Sequence, residues 1–137
     1  MERTKITIVV NGNKEPAYLK HDSAKGIIKF SMSNGFRKTY ESDDLYLCLA
    51  KIREEHPDII FMCKGAKRTV TPSRMSSQMS GGYMAYELTL GKQATFDDLV
   101  KIFDYEEHDI SKNPEDQILY YKQWIHSLTS KTSNENT

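Results

Sequence analysis

Two turn signals, Asn11-Gly12-Asn13 and Ser33-Asn34-Gly35, sit inside the first forty residues and divide them into short strand-forming runs. Asn and Gly tolerate positive φ at little cost, so both stretches favour tight reversals. A chain punctuated this closely folds back on itself. Residues 5–10 ("KITIVV"), 15–21 ("EPAYLKH"), 26–32 ("GIIKFSM") and 36–41 ("FRKTYE") therefore predict an antiparallel meander. Pro16 falls at the beginning of its run, where a missing donor does little harm.

The periodicity then changes. Ser42 is read as a helix cap, with Asp43 and Asp44 in the first turn, where the helix dipole favours negative charge. Leu45, Cys48, Leu49 and Ile52 follow at the spacing of one buried stripe, and Pro57 forbids continuation. Residues 59–63 predict a strand buried on both faces.

The stretch "TPSRMSSQMSGG", residues 71–82, reads as a short helix. Thr71 is its expected cap, Pro72 its first residue, and Gly81 and Gly82 its exit. Met75 and Met79, four apart, are expected to face inward, leaving Ser73, Arg74, Ser76, Ser77 and Gln78 outside. Strand alternation resumes at 83–90, with Met84, Tyr86, Leu88 and Leu90 on one face. Thr95 and Asp98 resemble a capping box before a short helix containing Leu99, Ile102 and Phe103. Asn113 and Pro114 open a last helix whose expected apolar stripe is Ile118, Tyr121, Ile125 and Leu128, with Trp124 beside it. The tail, 130–137, has no apolar residue and is expected to be disordered. The fold class expected is α+β: one domain over 1–129, an antiparallel-rich sheet from the meander plus two later strands, and three or four helices.

Composition narrows the function. The 137 residues are 38% hydrophobic and 28% charged, which fits a globular chain with a polar surface. Nineteen basic residues balance nineteen acidic ones, so global charge points to no polyanionic partner, and nucleic acid is not the expected ligand. Cys48 and Cys63 form no CxxC pair and are expected to be buried free thiols, as suits a reducing cytoplasm. The start "MERTKITIVV" lacks the long apolar region of a signal peptide, and no run approaches the ~18 apolar residues of a membrane helix. A cytoplasmic location without membrane association is the expectation.

No chemical constellation emerges. His108 stands among Asp104, Glu106, Glu107 and Asp109, in no known metal-ligand order, and reads as part of a solvated acidic loop. His21, His56 and His126 read as solvated side chains. Ser73, Ser76 and Ser77 lie in no GxSxG or SxxK arrangement. No cofactor, metal or catalytic residue is therefore expected, and the chain is read as a non-enzyme. Two charged segments remain. Lys64, Lys67, Arg68 and Arg74 form a basic run with no intervening acid, a candidate anion or partner patch. Asp97, Asp98, Asp104, Glu106, Glu107 and Asp109 form an acidic region, a candidate partner-binding surface.

Pro72-Ser73-Arg74-Met75-Ser76, Gln78-Met79, Ala85-Tyr86-Glu87-Leu88, Leu90-Gly91, Asp98-Leu99-Val100 and Ile102-Phe103-Asp104 together carry a resemblance. They are similar to a segment of small bacterial immunity proteins from contact-dependent growth inhibition and related polymorphic toxin systems. The resemblance covers about a quarter of the chain and is no catalytic signature. It implies a cytoplasmic protein that binds the C-terminal domain of a cognate toxin, often a nuclease, and blocks it. It transfers no contact residue, because toxin contacts differ between immunity proteins. If the toxin is a nuclease, the acidic region 97–116 is the expected contact with its basic substrate channel. The alternative is a small nucleic-acid- or anion-binding module centred on residues 64–74.

Overall fold

In the computed structural model, the backbone is described for residues 1–135 and side chains for 1–129. The tail 130–137, expected to be disordered, lies outside the fully described residues. The meander forms as expected: β1 (Glu2–Val10), β2 (Asn13–Asp22), β3 (Ile27–Met32) and β4 (Arg37–Glu41). With β5 (Ile60–Met62) they make a five-stranded antiparallel sheet in the order β4-β3-β2-β1-β5. A second antiparallel sheet joins β6 (Val70–Thr71), β7 (Met84–Glu87) and β8 (Leu99–Lys101). The helices are α1 (Leu45–Glu55), α2 (Arg74–Ser80) and α3 (Pro114–Glu135). The fold is α+β, with its strands in two sheets rather than one.

Alternation decides which face of the large sheet is buried. Ile6, Ile8, Ala17, Leu19, Ile28, Phe30 and Tyr40 point to one side and meet Leu45, Cys48, Leu49 and Ile52 of α1, the expected stripe. Val70, Ala85, Ile102 and Phe103 extend the same core to the second sheet. Both cysteines are free and buried, and burial pushes each thiol up to about 11, so neither is a ready nucleophile.

Several expectations are corrected. The cap of α1 is Asp44, whose carboxylate accepts the Leu47 N–H at 2.8 Å, and not Ser42. The cap of α2 is Ser73, and Thr71 belongs to β6, where it pairs with Tyr86. The expected helix after Thr95 does not form. The Thr95–Asp98 capping box is present, but it closes only a 3-10 turn, and Leu99 and Val100 pair with β7. A helix-start signal sets one turn and cannot overrule a strand partner waiting at the next residue. His21 is buried, not solvated: its ring stacks on Tyr83 and packs against Phe103, and burial lowers its pKa. His56 is also enclosed, against Phe30 and Phe36.

No helix among the described residues is long and apolar enough to cross a membrane.

Candidate interaction surface

The segment 71–82 is held by its polar residues, not its methionines. Ser73 and Ser76 make a reciprocal capping box: each Oγ accepts the other's backbone N–H, at 3.0 and 2.9 Å. Ser77 Oγ donates to Asp44 Oδ2 at 2.7 Å, and the Leu45 N–H donates to the Gly81 carbonyl at 2.8 Å. The start of α1 and the end of α2 are therefore clipped together. Ser76 is only 3% exposed, whereas Met75 and Met79 are 50% and 70% exposed. The expectation that the methionines pack inward is overturned. The helix is too short to need an apolar stripe, and its serines have hydrogen-bond partners beneath it.

α3 departs from expectation in the same direction. Its buried residues among those described are Pro114, Gln117 and Tyr120, while Ile118, Tyr121 and Ile125 of the expected stripe are exposed. The buried face is rotated because three polar tethers fix it. Tyr120 donates to the Leu88 carbonyl, Trp124 Nε1 donates to the Lys92 carbonyl at 2.9 Å, and Ser127 Oγ accepts the Gly91 N–H.

Two adjoining depressions result, of about 530 and 450 Å³, and they share Pro72, Arg74 and Tyr121. Leu47 and Ile118 line the first; Met75, Leu88 and Trp124 line the second. Tyr121 stacks on Trp124 with the rings 24° from parallel. Arg74 makes no ion pair or side-chain hydrogen bond among the described residues. Leu90 is exposed although Leu88, expected on the same face, is buried, and Ala85 of the opposite set is fully buried.

The two charged segments seen in the sequence are not separate patches in space. Glu106 lies between Lys64 and Lys67, at 3.3 and 3.1 Å. Lys67 also pairs with Glu87. Arg68 and Asp109 form a two-pronged pair, both contacts 3.0 Å, and the Arg68 guanidinium lies over the Tyr120 ring. Glu106 is buried, and burial would raise its pKa. The His108 N–H, Lys67 and Lys64 outweigh that and hold it at about 2. Of the expected acidic contacts, Glu106 and Asp109 are thus occupied within the fold. Asp98 is spent on the Thr95 turn. Asp97, Asp104 and Glu107 remain exposed. Of the four basic residues of the expected patch, Lys64, Lys67 and Arg68 are paired and Arg74 has no ion pair among the described residues.

No group of three or more potential metal ligands occurs among the described residues. What sequence reading missed is the groove, whose Tyr121 and Trp124 come from α3 and whose Arg74 and Met75 come from α2, some fifty positions earlier. The only available signal was the aromatic pair itself. The chain matches no protein-family profile and no curated protein sequence.

Proposed function

We propose that this chain is an immunity protein of a bacterial toxin system, acting by binding and blocking a cognate toxin domain, with no chemical step of its own. One observation carries the reading. The segment that resembles such proteins frames a groove where Arg74, Met75, Tyr121 and Trp124 converge. Trp, Tyr and Arg are the residue types that dominate the energetics of protein interfaces, and a rigid aromatic pair loses little entropy on docking. Exposed Met is common on adaptable binding surfaces. The groove, and not the acidic region 97–116, is the primary contact in this reading, because Asp98, Glu106 and Asp109 of that region are engaged within the fold. Cytoplasmic location and a nuclease as the toxin belong to the same proposal.

The test is co-expression with the C-terminal domain of the large protein encoded beside this chain. A stoichiometric complex and rescue of growth from that domain's toxicity are expected. Neither complex nor rescue would overturn the reading for that pair.

A further inference from the structure

The face of the five-stranded sheet that turns away from the core carries a pattern that the function proposed above does not use. Strand register sets its residues in lateral rows. Arg3 of β1 lies opposite Lys20 of β2, and Lys20 opposite Lys29 of β3. In the next row Lys5 lies opposite Tyr18, and Arg37 closes the row at β4 through Ser31. All five cations are exposed, no acid stands in either row, and none of the five forms an ion pair among the described residues. Like charges placed directly opposite one another destabilise a sheet. Two successive cation pairs therefore cost stability that a solvated surface has no need to spend. Tyr18, at the centre, is 53% exposed, and depressions of about 620 and 380 Å³ on its two sides both include Lys20.

We infer that this face binds single-stranded nucleic acid, with the Tyr18 ring as a base-stacking platform and Arg3, Lys5, Lys20, Lys29 and Arg37 as phosphate contacts. A sheet face bearing an exposed aromatic among cations suits unpaired bases, because every base offers a π-face and the strand's phosphates follow the charge. An acidic protein surface fits less well. Three of the five cations are Lys, which is depleted in the cores of protein interfaces. The chain's overall neutrality does not oppose the inference, since the two rows themselves carry only cations and the acids of this face, Asp22 and Glu41, stand one row beyond Lys20 and Lys29 at the sheet's end. The inference is independent of the toxin-binding groove on α2 and α3.

Fluorescence anisotropy of a labelled 15-nucleotide uridine RNA and its thymidine DNA counterpart tests it, on the full chain, from 50 to 300 mM salt. Binding is expected at 50 mM. It should weaken linearly in log–log form, with a slope of about −2 to −3.5 if three to five phosphates are neutralised. The double variant Lys20→Glu/Lys29→Glu should abolish it. Tyr18→Ala should weaken it about 5- to 150-fold at an unchanged salt slope. Circular dichroism should report an intact fold for each variant, since all three positions are exposed. No binding at 50 mM salt, or binding indifferent to the double variant, would overturn the inference. Equal competition by a glutamate homopolymer of matched charge would also overturn it, in favour of an acidic protein partner.

Discussion

The guanidinium of Arg53 donates to the side-chain oxygen of Gln117 at 2.8 Å, in a site where Arg53 is only 2% exposed and no carboxylate reaches it. Its second amino group donates to the Ser111 carbonyl at 2.9 Å, and its Nε has no partner. Gln117 in turn donates to the carbonyls of Gly65 and Lys67. A side chain of α1 is thus joined through α3 to the loop that leads into β6. Burial lowers the Arg53 pKa, but an arginine stays charged, so the site holds a cation on neutral acceptors alone.

That arrangement predicts a large cost for removing the intermediary. Gln117→Met strips one acceptor from a buried cation and removes the amide donor from the Gly65 and Lys67 carbonyls, of which the latter keeps the Val70 N–H. The expected loss is about 2–4 kcal/mol. Arg53→Met with Gln117→Met should cost less than the sum of the two single changes, with a coupling of about 1–3 kcal/mol. Urea denaturation of the four proteins of the cycle measures it. Strict additivity would mean that the contact carries no stability.

The junction between α1 and α2 makes a second prediction. Gly82 has φ +83°, and a Cβ there would stand 2.6 Å from Asp44 Cγ, the carboxylate that caps α1 and accepts from Ser77. Gly82→Ala therefore strains the backbone and displaces the cap together. Gly35→Ala, with φ +94° but nothing within 4 Å, strains the backbone only. The expected costs are about 3 kcal/mol or more for Gly82 and about 1–2 for Gly35. Thermal unfolding of the two variants should rank them in that order.

Much of the large sheet was legible, because its strands alternate and its turns are marked by Asn-Gly. The α1 stripe was legible for the same reason: Leu45, Cys48, Leu49 and Ile52 repeat at helical spacing. Met75 and Met79 repeat equally well, yet they face outward. Periodicity identifies a helix's apolar side but cannot say that the side is covered, and in α2 the serines below hold the helix down. Ile118, Tyr121 and Ile125 mislead for a related reason, since the Tyr120, Trp124 and Ser127 tethers set the rotation of α3 and are polar contacts with distant carbonyls and amides. The charge separation read along the chain vanished because Lys67 and Glu106, 39 positions apart in sequence, meet in space. The cation rows of the sheet were in principle readable from period-two spacing of Arg3 with Lys5 and of Tyr18 with Lys20. Their juxtaposition needed the register.

The groove separates stability from binding. Tyr121 and Met75 are substantially exposed and Arg74 is unpaired, so Arg74→Ala, Met75→Ser and Tyr121→Ala should each change unfolding free energy by less than about 1 kcal/mol. If the groove docks the toxin domain, Tyr121→Ala or Arg74→Ala should cost about 2 kcal/mol or more of binding, roughly 30-fold in Kd. Calorimetric titration of the purified complex partners measures this. Unchanged affinity in both variants would move the interface off α2 and α3, even if the complex itself forms.

Acid should reveal Glu106. Its folded pKa, about 2, lies well below the roughly 4.3 of an unfolded glutamate, so the folded state favours the ionised form. The stabilisation is fully present above the unfolded value and is lost as pH falls from about 4.5 toward 2. From the size of the shift it amounts to about 2–3 kcal/mol. Glu106→Gln keeps the shape but gives up the charge between Lys64 and Lys67, and it adds an amide donor facing two ammonium groups. The variant should be less stable than the parent at pH 7 by about that amount, and the gap should close as pH approaches 2. Urea midpoints of parent and variant from pH 7 down to pH 2.5 provide the measurement. A constant gap across that range would show that Glu106 contributes through its hydrogen bonds to the Glu107 and His108 amides, and not through its charge.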